Sequence, residues 1–367
     1  MEITETALNT TDFRIDRLSE SCSKWAELPN RWGELPCIDF AIAHPFQLLT
    51  RASASKLKAI AETYYGGANE YSTARTSCCL RGCAKLEEAV CERRSELESI
   101  TSRLVGAPMR LHTMRYEWAH VNVQKTGGQE RPVDNWHQDS TPFVLITVLT
   151  DHAADGGGEL HTAYPAGDAF EGGDVQTTCR YKLKQAGESM LMQGSHIWHK
   201  ANPSIEGERM TFVTSFTVNL PTVYDSTSIR VAIQYSPQGL ATHYYLKHCL
   251  GRLQSSLTSI LANTNHESKD ISKTYAVIWR EVAKICAAAP EVTRLMDIGK
   301  RPLETTAETE IANASASTLL IEVADRLRQV KPTENPVACT KLMETVDALL
   351  SRLNPLVLAA PRVVTSQ

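Results

Sequence analysis

Nowhere in the 367 residues is there a run approaching the roughly 18 consecutive apolar residues that a membrane span requires. The opening residues, MEITETALNTTDFRIDRL, lack the apolar h-region of a secretory signal, so a cytosolic chain is expected. The sequons at Asn9 and Asn313 then carry no glycan. A basic stripe is missing as well. The 38 Lys and Arg are mixed with 42 Asp and Glu for a net charge of -4, which argues against a nucleic-acid partner. Paired CxxC motifs are absent from the ten cysteines, and the cluster Cys78, Cys79, Cys83 and Cys91 lies in a helical pattern, which disfavours zinc. Without an export signal, free thiols are expected rather than disulfides. Internal repeats and low-complexity runs are lacking too.

What is present is a globular composition, 42% hydrophobic and 22% charged, enough to bury one large or two ordinary cores. Helical apolar spacing covers 53–66 (SASKLKAIAETYYG), with Gly66-Gly67 as a stop, and 83–105. From about 109 to 220 the texture changes to short apolar or alternating runs, such as Pro142 to Thr150, Glu188 to Gln193 and Met210 to Leu220. Gly, Pro, Asn and Asp separate them. Strands without intervening helices predict an antiparallel sandwich or barrel. After Pro237 the helical period returns, at 239–262, 271–288, 307–330 and 336–353. The expected organisation is a helical flank with leading strands (1–108), a mainly β core (109–236) and an all-helical C-terminal region (237–367). The apolar faces of that last region suit packing against the sheet first and a homodimer surface second.

The segment Asn135-Trp136-His137-Gln138-Asp139-Ser140 contains an H-x-D, which on extended backbone points both side chains to one face. By itself the motif is uninformative. With 11 His and 42 acidic residues, chance predicts about 1.3 cases of His-x-acid, and there is one. Its surroundings are more specific. Downstream come the apolar run Phe143 to Leu149, Thr150-Asp151, and Gly156-Gly157-Gly158-Glu159-Leu160. Then follow a strand from Gly187 to Met192, the segment Gly194-Ser195-His196-Ile197-Trp198-His199, and Arg209-Met210-Thr211. This order, with Arg ten residues after His199, resembles the Fe(II)/2-oxoglutarate dioxygenases over about residues 115–220.

The resemblance implies a double-stranded β-helix, or jelly roll, and small-molecule hydroxylase chemistry of the phytanoyl-CoA or secondary-metabolite type. It implies that His137, Asp139 and His199 ligate Fe(II) as catalytic and metal residues, and that Arg209 with Thr211 receives the distal carboxylate of 2-oxoglutarate. Dioxygen is the third reactant. Three protein ligands on one side of an ion leave room for a bidentate keto acid and dioxygen. A planar guanidinium suits a carboxylate better than lysine does. Asn122 or Gln124, on the preceding strand, are candidates for the keto-acid end. Trp136, Gln138, Phe143, Trp198 and Phe216 are candidates to shape a cavity for a small-molecule substrate. His196 stays open as an alternative third ligand, and a surface ion pair with Glu206 or Glu208 is the alternative role for Arg209. The chain departs from nucleic-acid demethylases, which carry a second Arg where Ser215 stands. It also departs from collagen-type prolyl hydroxylases, which use Lys in place of Arg209. With Asp139 present, hydroxylation, desaturation, epoxidation or ring formation is expected rather than halogenation. The rival readings are a cupin-like metal protein acting without 2-oxoglutarate and a non-catalytic binding barrel.

Overall fold

The computed structural model describes residues 22–23, 38, 40–64, 70–71, 79–125, 134–152, 157–163, 179–202, 207–229, 238–262, 269–298, 324 and 336–353. These residues form antiparallel sheets and six α-helices, in two compact units that meet in sequence between Asn219 and Leu220. No helix among them is long and apolar enough to cross a membrane. The described cysteines form no disulfide.

In the first unit, helix α1 (Arg51–Tyr64) occupies most of the segment expected at 53–66. It starts earlier because Thr50 caps it, Oγ1 accepting from the Ser53 N–H at 3.1 Å. The helical pattern over 83–105 is split into α2 (Ala84–Glu92) and α3 (Arg94–Val105). The break is Arg93, which leaves helical geometry at φ -104° and ψ 11°. Its buried side chain pairs with Glu96 at 2.9 Å. Helix α3 ends on Gly106, whose φ of 71° is left-handed and carries no Cβ penalty in glycine.

The strands are β1 (Cys22–Ser23), β2 (Ile42–Ala43), β3 (Phe46–Gln47), β4 (Glu70–Tyr71), β5 (Cys79–Leu80), β6 (Met109–Leu111), β7 (His120–Lys125), β8 (Asp134–His137), β9 (Phe143–Val148), β10 (Leu160–Ala163), β11 (Cys179–Tyr181), β12 (Glu188–Met192), β13 (Trp198–Ala201) and β14 (Glu208–Val218). Strands β9, β12 and β14 fall on the three apolar runs singled out in the sequence. The larger sheet has the order β1-β2-β12-β9-β14-β7-β5-β4, with β3 on β12 and β6 on β14. The smaller sheet has the order β11-β10-β13-β8. Strands β7 to β14 thus pass between the two sheets, only β10 and β11 following each other in the same one.

The apolar run of β9 explains its central place, because all six residues of FVLITV are buried and both faces are covered. Its even-numbered residues Val144, Ile146 and Val148 join Met190, Met192 and Val213 of the same sheet and Leu160 and Tyr181 of the smaller sheet in one core. Each such side chain contributes roughly 1.5–3 kcal/mol when fully buried. The odd-numbered residues face the other way. Phe143 lies opposite Phe216 in the ladder and 6.2 Å from the Phe40 ring.

The second unit contains α4 (Gln238–Ala262), α5 (Lys269–Ile298) and α6 (Pro336–Leu353). Helix α4 packs against both others, burying Leu246, Leu250, Leu253 and Leu257 at helical spacing. Helices α4 and α6 match the expected 239–262 and 336–353. Helix α5 runs beyond the expected 271–288 and continues past Pro290, which removes one backbone hydrogen bond without ending the helix. The helix expected at 307–330 lies outside the described residues apart from residue 324.

A buried charge network ties residues 223–227 to α4 and α5. Asp225 accepts from His248 Nε2 and from the Thr227 N–H, each at 2.9 Å, and lies 3.6 Å from Lys284 Nζ. Lys284 also reaches Glu281 at 2.7 Å, and Arg252 lies 3.3 Å from Glu281. Burial pushes the Asp225 carboxyl up, but His248, Lys284 and Arg252 outweigh it and hold the group well below the usual carboxylate range. Replacing Asp225 with alanine leaves two buried cations facing one carboxylate. The expected loss is on the order of 3–5 kcal/mol, read from the denaturant midpoint of the helical signal.

Candidate metal centre

Strands β8, β10 and β13 lie side by side in the smaller sheet, and their register builds the site. His199 is opposite His137 on one side and opposite Thr162 on the other, so all three side chains point to the same face. The β8–β13 ladder shifts register between His199 and Ala201, an irregularity of the kind that re-aims side chains beside functional sites. Two residues beyond His137, Asp139 is fixed by its own backbone, whose N–H donates to the Gly194 carbonyl at 2.9 Å.

The result is a convergent set of donors. His137 Nε2 is 3.6 Å from Asp139 Oδ1, and His199 Nε2 is 3.5 Å from Asp139 Oδ2. One donor atom from each of the three residues falls within 4.8 Å of the others. The His199 Nδ1 lies 2.9 Å from the Ile197 carbonyl, which assigns the proton to Nδ1 and turns the Nε2 lone pair toward the centre. Burial by itself would raise the Asp139 carboxyl. The adjacent His199 and His137 imidazoles reverse that and hold it well below the usual range. A carboxylate flanked by two imidazoles is a donor set that could hold a first-row metal ion.

Gly194 makes room for it. A Cβ built there would sit 2.1 Å from Asp139 Oδ2 and 3.0 Å from Asp139 Cγ. No other residue type leaves the carboxylate where it is. His196 stands outside the donor set, in the turn before β13, with its Nδ1 2.8 Å from Ser195 Oγ.

On the facing sheet, Arg209, Thr211 and Val213 alternate along β14 onto the inner face, the face that Val213 shares with the core. Arg209 is 4% exposed, which excludes a surface ion pair. Its Nη1 donates to Thr211 Oγ1 at 3.3 Å, while Nε is buried without an acceptor among the described residues. No carboxylate among the described residues forms an ion pair with it, and burial pushes its guanidinium down to about 10. Such a group is costly unless a counter-charge arrives. Gly158 closes over it, with a Cβ there falling 3.2 Å from Arg209 Cδ. Gln124 is opposite Arg209 and Asn122 opposite Thr211, so both candidates for the keto-acid end share this inner face.

The proposed cavity aromatics go elsewhere. Trp136 and Trp198 neighbour His137 and His199 in sequence and therefore point to the opposite face, where Lys200 Nζ lies 5.0 Å from the Trp136 ring. Phe143 and Phe216 are on the outer face of the larger sheet. Gln138 donates to the His196 carbonyl at 3.0 Å. His161 faces away from the metal side, 3.1 Å from Glu159 and 2.8 Å from Asn202.

Two inward groups have no counterpart in the sequence reading. Thr162, beside His199, is fully buried and its hydroxyl has no hydrogen-bond partner among the described residues. His152, two residues after Thr150, has its Nε2 3.4 Å from Thr150 Oγ1. Only strand register reveals either.

No family model matches the chain, and no curated protein does. Among solved structures, AviO1 from Streptomyces viridochromogenes Tue57 is similar at 16% identity. The match covers 49% of this chain and 90% of that one, with a TM-score of 0.38. SnoN, described as a non-heme alpha ketoglutarate dependent epimerase from nogalamycin biosynthesis, is similar at 14% identity over 48% and 78% of the two chains, TM-score 0.38. A Pseudomonas putida prolyl-4-hydroxylase is similar at 10% identity over 49% and 92%, TM-score 0.34.

Proposed function

We propose that the chain is an Fe(II)- and 2-oxoglutarate-dependent dioxygenase that oxidises a small organic molecule by hydroxylation, desaturation, epoxidation or ring formation. One observation carries this reading. A His137, Asp139 and His199 donor set shares a sandwich with a buried guanidinium, Arg209, that has no carboxylate partner among the described residues. The strand order is consistent with it, since β7 to β14, apart from the consecutive pair β10 and β11, alternate between sheets in the manner of a double-stranded β-helix.

An iron held there would supply the redox chemistry with dioxygen as the oxidant: one oxygen atom would end in succinate as 2-oxoglutarate loses carbon dioxide, and the remaining two-electron oxidation would fall on the substrate. The chain does the positioning. His137, Asp139 and His199 hold the ion through two imidazole nitrogens and one carboxylate. Arg209 and Thr211 take the distal carboxylate, and Asn122 and Gln124 line the same wall. The Thr162 hydroxyl, without a hydrogen-bond partner among the described residues, is a hydrogen-bonding group for a molecule bound beside His199. Val144, Ile146 and Val213 keep water out of the space behind. Asp139 fills the ligand position that a halide would need, so a halide-free outcome is expected.

The test is anaerobic addition of Fe(II) and then 2-oxoglutarate to the purified chain. A weak visible charge-transfer band is expected, followed by succinate on admission of air. Iron binding with neither the band nor succinate overturns the reading in favour of a metal protein that acts without a keto acid.

A further inference from the structure

We propose that His152 is a second cation of the anion pocket at Arg209, charging by proton uptake when a carboxylate binds there. This rests on the reading of Arg209 as the seat of the distal carboxylate of 2-oxoglutarate.

The geometry comes from the continuation of the β9–β14 ladder. Thr211 is opposite Val148, and the Leu149 N–H donates to the Met210 carbonyl at 2.9 Å, which brings Thr150 opposite Arg209. Thr150 Oγ1 accepts from the Met210 N–H at 3.1 Å and lies 3.4 Å from His152 Nε2. Between these two residues the chain keeps its alternation. Asp151 points outward, accepting from the Ala186 N–H at 2.8 Å and lying 3.4 Å from Arg51, while His152 returns to the side of Thr150. The His152 backbone N–H is held by the Lys184 carbonyl at 2.8 Å, which fixes the ring's position.

The charged groups facing the imidazole are Arg209 from β14, Lys182 from the segment after β11, and Asp151 beside it. Burial first, and then Arg209 and Lys182 against the weaker pull of Asp151, push His152 down to about 4. At neutral pH it is therefore neutral in the empty pocket. A carboxylate on Arg209 cancels the nearest positive charge and adds a negative one, so the bound state favours the imidazolium. The sign follows. The ligand-bound pKa lies above the free one, so affinity rises as pH falls toward the free value, and the effect vanishes above the bound value. The pocket thereby avoids holding two cations together while empty, yet offers two to an arriving anion.

Calorimetric titration of the full chain with Fe(II), anaerobically and in two buffers of different ionisation enthalpy, counts the protons taken up. At pH 6 the distal carboxylate of 2-oxoglutarate is already ionised, since its ordinary value is about 4.3, so any uptake is by the protein. We expect a substantial fraction of one proton at pH 6, falling toward zero by pH 8.5, with affinity severalfold higher at pH 6 than at pH 8.5. His152→Gln removes both effects. In the unaltered chain, 2-oxobutyrate, which lacks the distal carboxylate, gives no uptake. Equal uptake in His152→Gln, or equal uptake with 2-oxobutyrate, overturns the proposal. Binding of 2-oxoglutarate without uptake overturns it alone, whereas failure of 2-oxoglutarate to bind at all overturns the reading beneath it as well.

Discussion

Gly194→Ala is expected to abolish iron binding while leaving the fold in place. The added methyl would lie 2.1 Å from Asp139 Oδ2 and 3.0 Å from Val144 Cγ2, so the carboxylate must swing out of the donor set. Backbone strain plays no part, because Gly194 is not in the left-handed region. Disturbing a residue that merely supports a metal ligand costs about 10–100-fold in affinity. Expelling the ligand itself should exceed that range. Equilibrium dialysis with Fe(II) reads the loss, and circular dichroism checks that the sheets persist. His196→Ala is the companion measurement. Its ring sits on Ser195 in the turn, outside the donor set, so iron affinity should be unchanged. Iron binding that survives Gly194→Ala and fails in His196→Ala would reverse the ligand assignment.

The second large effect has opposite signs on two measurements. Arg209→Met keeps most of the side-chain volume and removes a buried charge that lacks an ion-pair partner among the described residues. The chain without ligand should therefore be more thermostable than the original, by a few °C for each kcal/mol of relieved desolvation. Affinity for 2-oxoglutarate should fall at the same time by roughly 2–4 kcal/mol, or about 30- to 1000-fold, because a charge-assisted contact to the distal carboxylate disappears. The stabilisation that 2-oxoglutarate confers on the melting temperature should shrink accordingly. A variant less stable when empty, with unchanged affinity, would mean that Arg209 serves packing alone.

How much of this was legible in the residues depends on the range of the interaction concerned. Period-two alternation is local, so it correctly put His137 with Asp139 and Arg209 with Thr211 and Val213 on common faces. The same alternation turns Trp136 and Trp198, both expected to shape a cavity, away from the His137, Asp139 and His199 side, since each directly adjoins one of the two histidines. Phe143 and Phe216 failed for a related reason. Their apolar neighbours are buried on both sides of the larger sheet, so hydrophobicity gave no sign of which face looks toward the smaller sheet. The pairing of Gln124 with Arg209, the position of Thr162 beside His199, and the placing of His152 near Thr150, which stands opposite Arg209, depend on inter-strand register. No single segment encodes that. The helix end expected at 105 coincides with Val105, where Gly106 stops the helix, whereas the start expected at 53 lies two residues late because the Thr50 cap begins the helix at Arg51. Helix ends were misjudged at Arg93 and Pro290, where tertiary context overrode the local signal.

The hydrogen bond from the Asp139 N–H to the Gly194 carbonyl, together with the His137–His199 pairing across the ladder, has a kinetic consequence. The segments that carry the ligands are stitched to one another by main-chain contacts that involve no ion. Little chain ordering is left for an incoming cation to accomplish, so its capture rate should follow how quickly it sheds its own hydration shell, and apo protein and metal-loaded protein should show nearly the same amide-exchange protection along these strands.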